Sequence, residues 1–138
     1  MILAARAKGV TMILLTPVAR PYVSWVDSSD INNQEQNKNP DGTYIVTDSH
    51  KDYSAAIKEV ADLTGSPIID VDAYTRNAMI EHGLADSSPI RPYYATSAGY
   101  THNIDTHLSK AGARDWVVPY IKAELAKMNL PISEYLSE

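Results

Sequence analysis

A chain of 138 residues, 44% hydrophobic and 21% charged, is long enough for one ordinary core and too apolar to be disordered. Its formal net charge of -5 contains no block of like charge, which argues against nucleic-acid and anionic-membrane partners and favours a neutral or small-molecule one. Cysteine is absent, so a disulfide framework and a thiolate metal site are both excluded, and the compartment stays open.

In chain order, residues 1–9 read as a helix with Gly9 as its stop. No Ser, Thr, Asp or Asn precedes this helix to cap it, so the chain is expected to begin inside an element. MILAARAKGV is too short to span a bilayer and lacks the long apolar run of a signal peptide. TMILLTP, closed by Pro17, is apolar on both faces and reads as a strand in the middle of a parallel sheet.

Residues 21–48 form a long polar insertion, with NPDG flanked by YVSWV and TYIVT. A hairpin and a functional or mobile loop are both compatible with it. SHKDYSAAIKEVADLTG reads as a crossover helix. Ser49 is its expected N-cap, Gly65 its stop, and Tyr53, Ala56, Ile57, Val60 and Ala61 its apolar stripe.

PIIDV at 67–71 is the second buried strand, completing a βαβ unit. A helix capped by Asp72 should run to Gly83, with Asp70 in a structural role. The last helix should start near Ser109, with Ala113, Trp116, Val117, Tyr120, Ile121 and Met128 on its inner stripe and a kink or break at Pro119. Two strands cannot form a stable doubly wound sheet, so the reading is one incomplete domain, the C-terminal part of a larger α/β unit.

The chemistry gathers in NIDTHLSKAGA, residues 103 to 113, in the loop expected before the final helix. A catalytic His needs an acceptor on its second ring nitrogen to fix its tautomer and stabilise the imidazolium. Asp105 stands two residues before His107 and could serve. Arg20, after TPVA, sits where a strand end meets the site, and Trp25, Tyr93, Tyr94 and Tyr100 could stack on sugar rings. His50, His82 and His102 read as surface residues. His102 and His107 lack a third ligand at suitable spacing, so no metal site is expected.

The order ARAKGVTMILLTPVAR, KDYSAAIKEVADLTGSPIIDVDA and DTHLSKAGA resembles the SGNH (GDSL) hydrolases, in particular the rhamnogalacturonan acetylesterase-like carbohydrate esterases. The resemblance covers nearly the whole chain apart from the polar insertion. It implies an α/β fold, the C-terminal part of a three-layer α/β/α sandwich with a parallel, flavodoxin-like sheet. It also implies a serine esterase acting on acylated carbohydrate without metal or organic cofactor.

By that resemblance His107 is the general base, and Arg20 and Tyr100 are substrate-binding. The family's acid stands three residues before the His, where this chain has Ile104. Either Asp105 replaces it or the orienting acid is lost. No serine here has a G-D-S or G-x-S-x-G context. The resemblance therefore places the nucleophile and oxyanion donors upstream of Met1, and implies that the chain alone is inactive. The alternative is a non-catalytic remnant that binds carbohydrate, a second copy or a complementing chain.

Overall fold

The computed structural model describes residues 1–23, 36–48, 50–96 and 104–136. At its centre lies the expected parallel pair. Strand β1 (Leu14–Leu15) runs beside β4 (Ile68–Ile69), with Leu14 opposite Ile68 and Leu15 opposite Ile69. Two flanking bonds extend the ladder, Leu14 N–H to the Pro67 carbonyl and Thr16 N–H to the Ile69 carbonyl, at 2.9 and 3.1 Å. The remainder of the apolar run TMILLTP stays outside the ladder, because Pro17 ends β1 and Pro67 precedes β4.

The crossover helix α2 (Lys51–Thr64) lies between the two strands and stops at Gly65, whose φ of 59° and ψ of 32° are left-handed values that glycine adopts without strain. Its N-cap is His50, which makes no side-chain cap bond; Ser49 lies outside the described residues. The buried face follows the expected stripe only at Ala61 and, half-buried, at Ile57. Tyr53 is 69% exposed and Val60 41%, whereas Ser54 and Ala61 are each 3% exposed. A pair of short strands offers little area to cover, so α2 meets it through small side chains and leaves its larger apolar ones outside.

Helix α1 (Ile2–Arg6) is shorter than the sequence suggests and buries none of its residues. It is tied to the end of α2 by a hydrogen bond that the Arg6 guanidinium donates to the Thr64 carbonyl.

The polar insertion is a hairpin at both of its described ends. β2 (Pro21–Val23) pairs antiparallel with β3 (Val46–Asp48), Tyr22 opposite Thr47. Within residues 36–48, NPDG forms a local turn, with Gly42 N–H donating to the Asn39 carbonyl at 2.9 Å and Pro40 at the position that fixes φ for the chain reversal. Thr43 donates both its N–H and its hydroxyl to the Asp41 carboxylate, and these bonds hold that carboxyl below its usual range.

The hairpin is docked rather than loose. The Tyr44 N–H donates to the Ile80 carbonyl, and buried Gln36 bonds both the Ile45 carbonyl and the Leu84 N–H. The Tyr44 ring lies where a β-carbon on Gly83 would stand, 2.8 Å from it, so only glycine fits beneath this tyrosine.

Helix α3 (Val71–His82) is capped by Asp70 and not by Asp72. The Asp70 carboxylate accepts from the Ala73 N–H at 3.1 Å and the Thr16 hydroxyl at 2.9 Å, and pairs with Lys58 at 2.5 Å. The same Thr16 oxygen accepts from the Asp72 N–H at 2.8 Å. One side chain just after β1 is thereby tied to both the end of β4 and the start of α3. Asp72 lies two residues past the cap position and instead grips Arg76 one turn ahead with both carboxylate oxygens.

Partial burial raises the Asp70 pKa, but Lys58, the Ala73 N–H and the Thr16 hydroxyl together outweigh it and leave the net shift downward. A carboxyl depressed on folding stabilises the fold above its unfolded pKa of about 3.9 and loses that contribution as pH falls through the folded value. Asp70→Ala should cost about 1 kcal/mol at pH 7 through the lost cap. Urea midpoints at pH 7 and pH 3 check this: the gap between wild type and variant should narrow at pH 3, and a pH-independent gap would contradict the assignment.

The final helix begins at Lys110, passes through a π-helical stretch (Gly112–Val117) and continues as α4 (Val118–Lys127). The expected disturbance at Pro119 takes this form. A proline has no N–H and crowds the carbonyl four residues back, and a wider turn just before it relieves both problems. The phase shifts as a result, so Gly112 is buried and Ala113 is exposed, opposite to the expected stripe. Trp116 and Val117 join Ala19, Ile69, Val71, Met79, Leu84, Ile90 and Tyr94 in the core. Full burial of such side chains contributes about 1.5 to 3 kcal/mol each.

The result is a mixed α/β fold whose described strands form one parallel and two antiparallel pairs. No helix among the described residues is long and apolar enough to cross a membrane.

Candidate functional site

His107 lies in a strand rather than in the loop expected before the last helix. β6 (Ile104–Leu108) pairs antiparallel with β5 (Tyr94–Thr96), Leu108 opposite Tyr94 and Ile104 opposite Thr96. Two steps along β5 therefore match four along β6, and the surplus falls at positions 105 to 107. Such a bulge bends the strand and re-aims the side chains it carries, which is why bulges recur beside active sites. Sequence reasoning missed this strand because Asp105 and His107 interrupt its apolar pattern and its pairing is set by Tyr94 and Thr96 across the pair.

The residues after His107 are locked in place. The Ser109 N–H donates to the Tyr93 carbonyl and its hydroxyl to the Pro92 carbonyl, both at 2.8 Å. That hydroxyl also accepts from the Gly112 N–H at 3.0 Å, the geometry of an N-cap. A β-carbon on Gly112 would stand 2.0 Å from the Tyr93 carbonyl oxygen, so the helix can approach the backbone just before β5 only where it has no side chain. The L-S-x-x-G pattern thus has a local physical cause. Its serine caps the helix and its glycine admits the neighbouring backbone.

An aromatic ladder carries the anchor onward. Tyr93 stacks on Trp116 with centroids 5.2 Å apart, Trp116 meets Tyr74 at 5.8 Å, and Tyr74 stacks on Tyr120 at 3.9 Å. The Tyr120 hydroxyl donates to the Asp70 carbonyl at 3.3 Å, at the carboxyl end of β4. Burial, with Glu124, Asp70 and Tyr74 nearby, raises the Tyr120 pKa. Burial alone pushes the Tyr94 phenol upward. Tyr93 and Tyr94, read as sugar-stacking candidates, are thereby spent on packing: Tyr94 is in the core, and one face of Tyr93 is covered by Trp116.

The His107 side chain is exposed, as an acid–base group that must meet a substrate requires. Asp105 contributes its backbone to β6; its side chain, Tyr100, Trp25 and His102 lie outside what the structure describes. Arg20 is exposed just beyond β1 and lines an open hollow with His50 and Tyr53, which the sequence had marked only as a surface residue and a core-stripe residue. Among the described residues no group of three His, Asp or Glu is placed to hold a metal ion.

No family model matches the chain, and neither a curated protein nor a solved structure matches it.

Proposed function

We propose that this chain carries the acid–base part of a serine esterase site of the SGNH type, acting on acylated carbohydrate. The observation that carries the reading is an exposed His107 on a bulged strand, followed at once by a Ser109-capped helix locked under Tyr93 through Gly112. A base that shuttles a proton must be held still and yet be reachable, and this segment supplies both conditions.

In the proposed reaction His107 takes the proton of a serine hydroxyl as that oxygen attacks the ester carbonyl. It then returns the proton to the departing sugar hydroxyl, leaving an acyl-enzyme that water cleaves by the same route. Asp105 orients the imidazole. Arg20 and Tyr100 contact the carbohydrate. The serine and the oxyanion donors come from a G-D-S-bearing segment of a complete three-layer α/β/α domain, so the reaction belongs to the assembled enzyme. No metal or organic cofactor enters the scheme. The test is acetate release from acetylated rhamnogalacturonan by that assembly, with and without the His107 imidazole.

A second reading, association with a complementing chain without catalysis by this one, is favoured by Leu15. It lies on β1, has one strand neighbour among the described residues, and is 43% exposed beside the uncovered Tyr53 and Ile57 side of α2. The two readings share a surface, since a sheet that needs a further strand would receive it there.

A further inference from the structure

At the amino ends of β1 and β4, opposite to the end that carries Arg20 and the Asp70 cap, a second hollow of about 400 Å³ opens beside α1. Ile2, Val10, Met12 and Pro67 give it apolar walls, and Arg6 is the one charged residue in its described lining. Arg6 donates one N–H to the Thr64 carbonyl, which fixes the guanidinium beside the hollow. It pairs with no acidic group among the described residues, so further N–H groups remain for a ligand. The strand ladder stops here for a covalent reason. Its first rung runs from the Leu14 N–H to the Pro67 carbonyl, and the next rung toward the amino end would need an N–H from Pro67, which has none. Met12 stands two residues before Leu14, where a strand's alternation faces the same side, and its N–H and carbonyl make no hydrogen bond among the described residues. A backbone donor and acceptor thus stand beside a guanidinium and an apolar recess.

From this arrangement we infer that the hollow binds the C-terminal end of a peptide whose last residue is apolar. Arg6 takes the terminal carboxylate, Met12 pairs with the peptide's main chain as a short added strand, and the last side chain enters the recess of Ile2, Val10 and Pro67. A guanidinium offers parallel N–H donors that match a carboxylate. Strand addition supplies main-chain bonds, while a pocket for the side chain supplies selectivity. In a chain of net charge -5, a recess whose one described charge is positive selects an anionic group. A fatty or aryl acid would satisfy Arg6 and leave Met12 without a partner, which is why the occupant is a peptide. The inference does not rest on the esterase reading, since neither His107 nor Asp105 takes part in it.

The experiment is a chemical-shift titration of the ¹⁵N-labelled chain at low salt. Its separate arms are N-acetylated alanyl-alanyl-leucine, the same peptide as its C-terminal amide, and octanoate. Saturable shifts at the Val10, Thr11, Met12 and Gly65 amides are expected with the free acid. The C-terminal amide should bind about tenfold more weakly or worse, and added salt should weaken the acid. Arg6→Gln should cost about the same factor as the amide. Because Arg6 also ties α1 to α2, Val10→Asp serves as a second variant. Val10 is 52% exposed, so the fold is kept, and a carboxylate placed in the lining should repel that of the peptide. Equal binding of the C-terminal amide, octanoate binding as tightly as the peptide, undiminished binding in either variant, or no saturable shift in any arm would overturn the inference.

Discussion

Gly112→Ala should lower the stability of the chain by about 3 kcal/mol and its melting temperature by roughly 10 °C. The β-carbon it adds would stand 2.0 Å from the Tyr93 carbonyl oxygen and 2.8 Å from the Tyr93 carbonyl carbon, both backbone atoms that cannot swing aside. The helix would have to withdraw from the strand. That withdrawal pulls on the Ser109 cap, and with it on the Tyr93–Trp116 stack that connects the β5–β6 pair to the core. Ala113→Ser, one residue later on the exposed side, should change little. Thermal melts of the two variants check the claim. A Gly112→Ala variant melting with wild type would mean that this close approach is absent.

On the proposed esterase reading, His107→Ala should abolish acetate release by the assembled enzyme, by about 10⁶ in kcat, while leaving folding intact. The loss is large because the base acts in every proton transfer of both half-reactions, so no parallel route survives its removal. Folding is spared because the His107 side chain is exposed, while the cap and stack that hold the segment belong to Ser109, Gly112 and Trp116. Asp105→Asn should cost about 10⁴, since the base remains but its tautomer is no longer set. Initial rates with circular dichroism on the same samples separate catalysis from folding. A fully active His107→Ala enzyme would end the acid–base role.

Much of the fold could be read from residues whose physics is local. Gly65 and Gly83 stop their helices where the backbone turns to positive φ, NPDG makes its turn, and Pro119 disturbs the helix in which it falls. The parallel pairing of the two apolar runs followed from their composition and the helix between them.

What escaped depended on neighbours that no single segment records. Asp70 rather than Asp72 caps α3, because Thr16, just after β1, fixes both the Asp70 carboxylate and the Asp72 N–H. The inner face of α2 is set by how little sheet it covers, so Ser54 is buried beside the expected Ala61 while Tyr53 is not. Of the candidate site, the helix start near Ser109 was readable, but the contact at Gly112 was not, because it depends on where the Tyr93 carbonyl lies. Nor was the bulge around His107, because its register is decided by Tyr94 and Thr96 across the pair. The hollow at Arg20 was half legible: the arginine was marked, but His50 and Tyr53 join it only through the crossover of α2.

The central claim is that Asp105 holds the His107 imidazole in the tautomer a general base needs, and it can be tested on this chain alone. The direct measurement is the NMR spectrum of the ¹⁵N-labelled His107 ring at neutral pH, in the wild-type chain and in Asp105→Asn. The account predicts a proton on Nδ1 with a strongly deshielded resonance, an unprotonated Nε2, and loss of the deshielded signal in the variant. A His107 ring whose Nδ1 lacks the proton, or whose signal does not respond to Asp105→Asn, would contradict it.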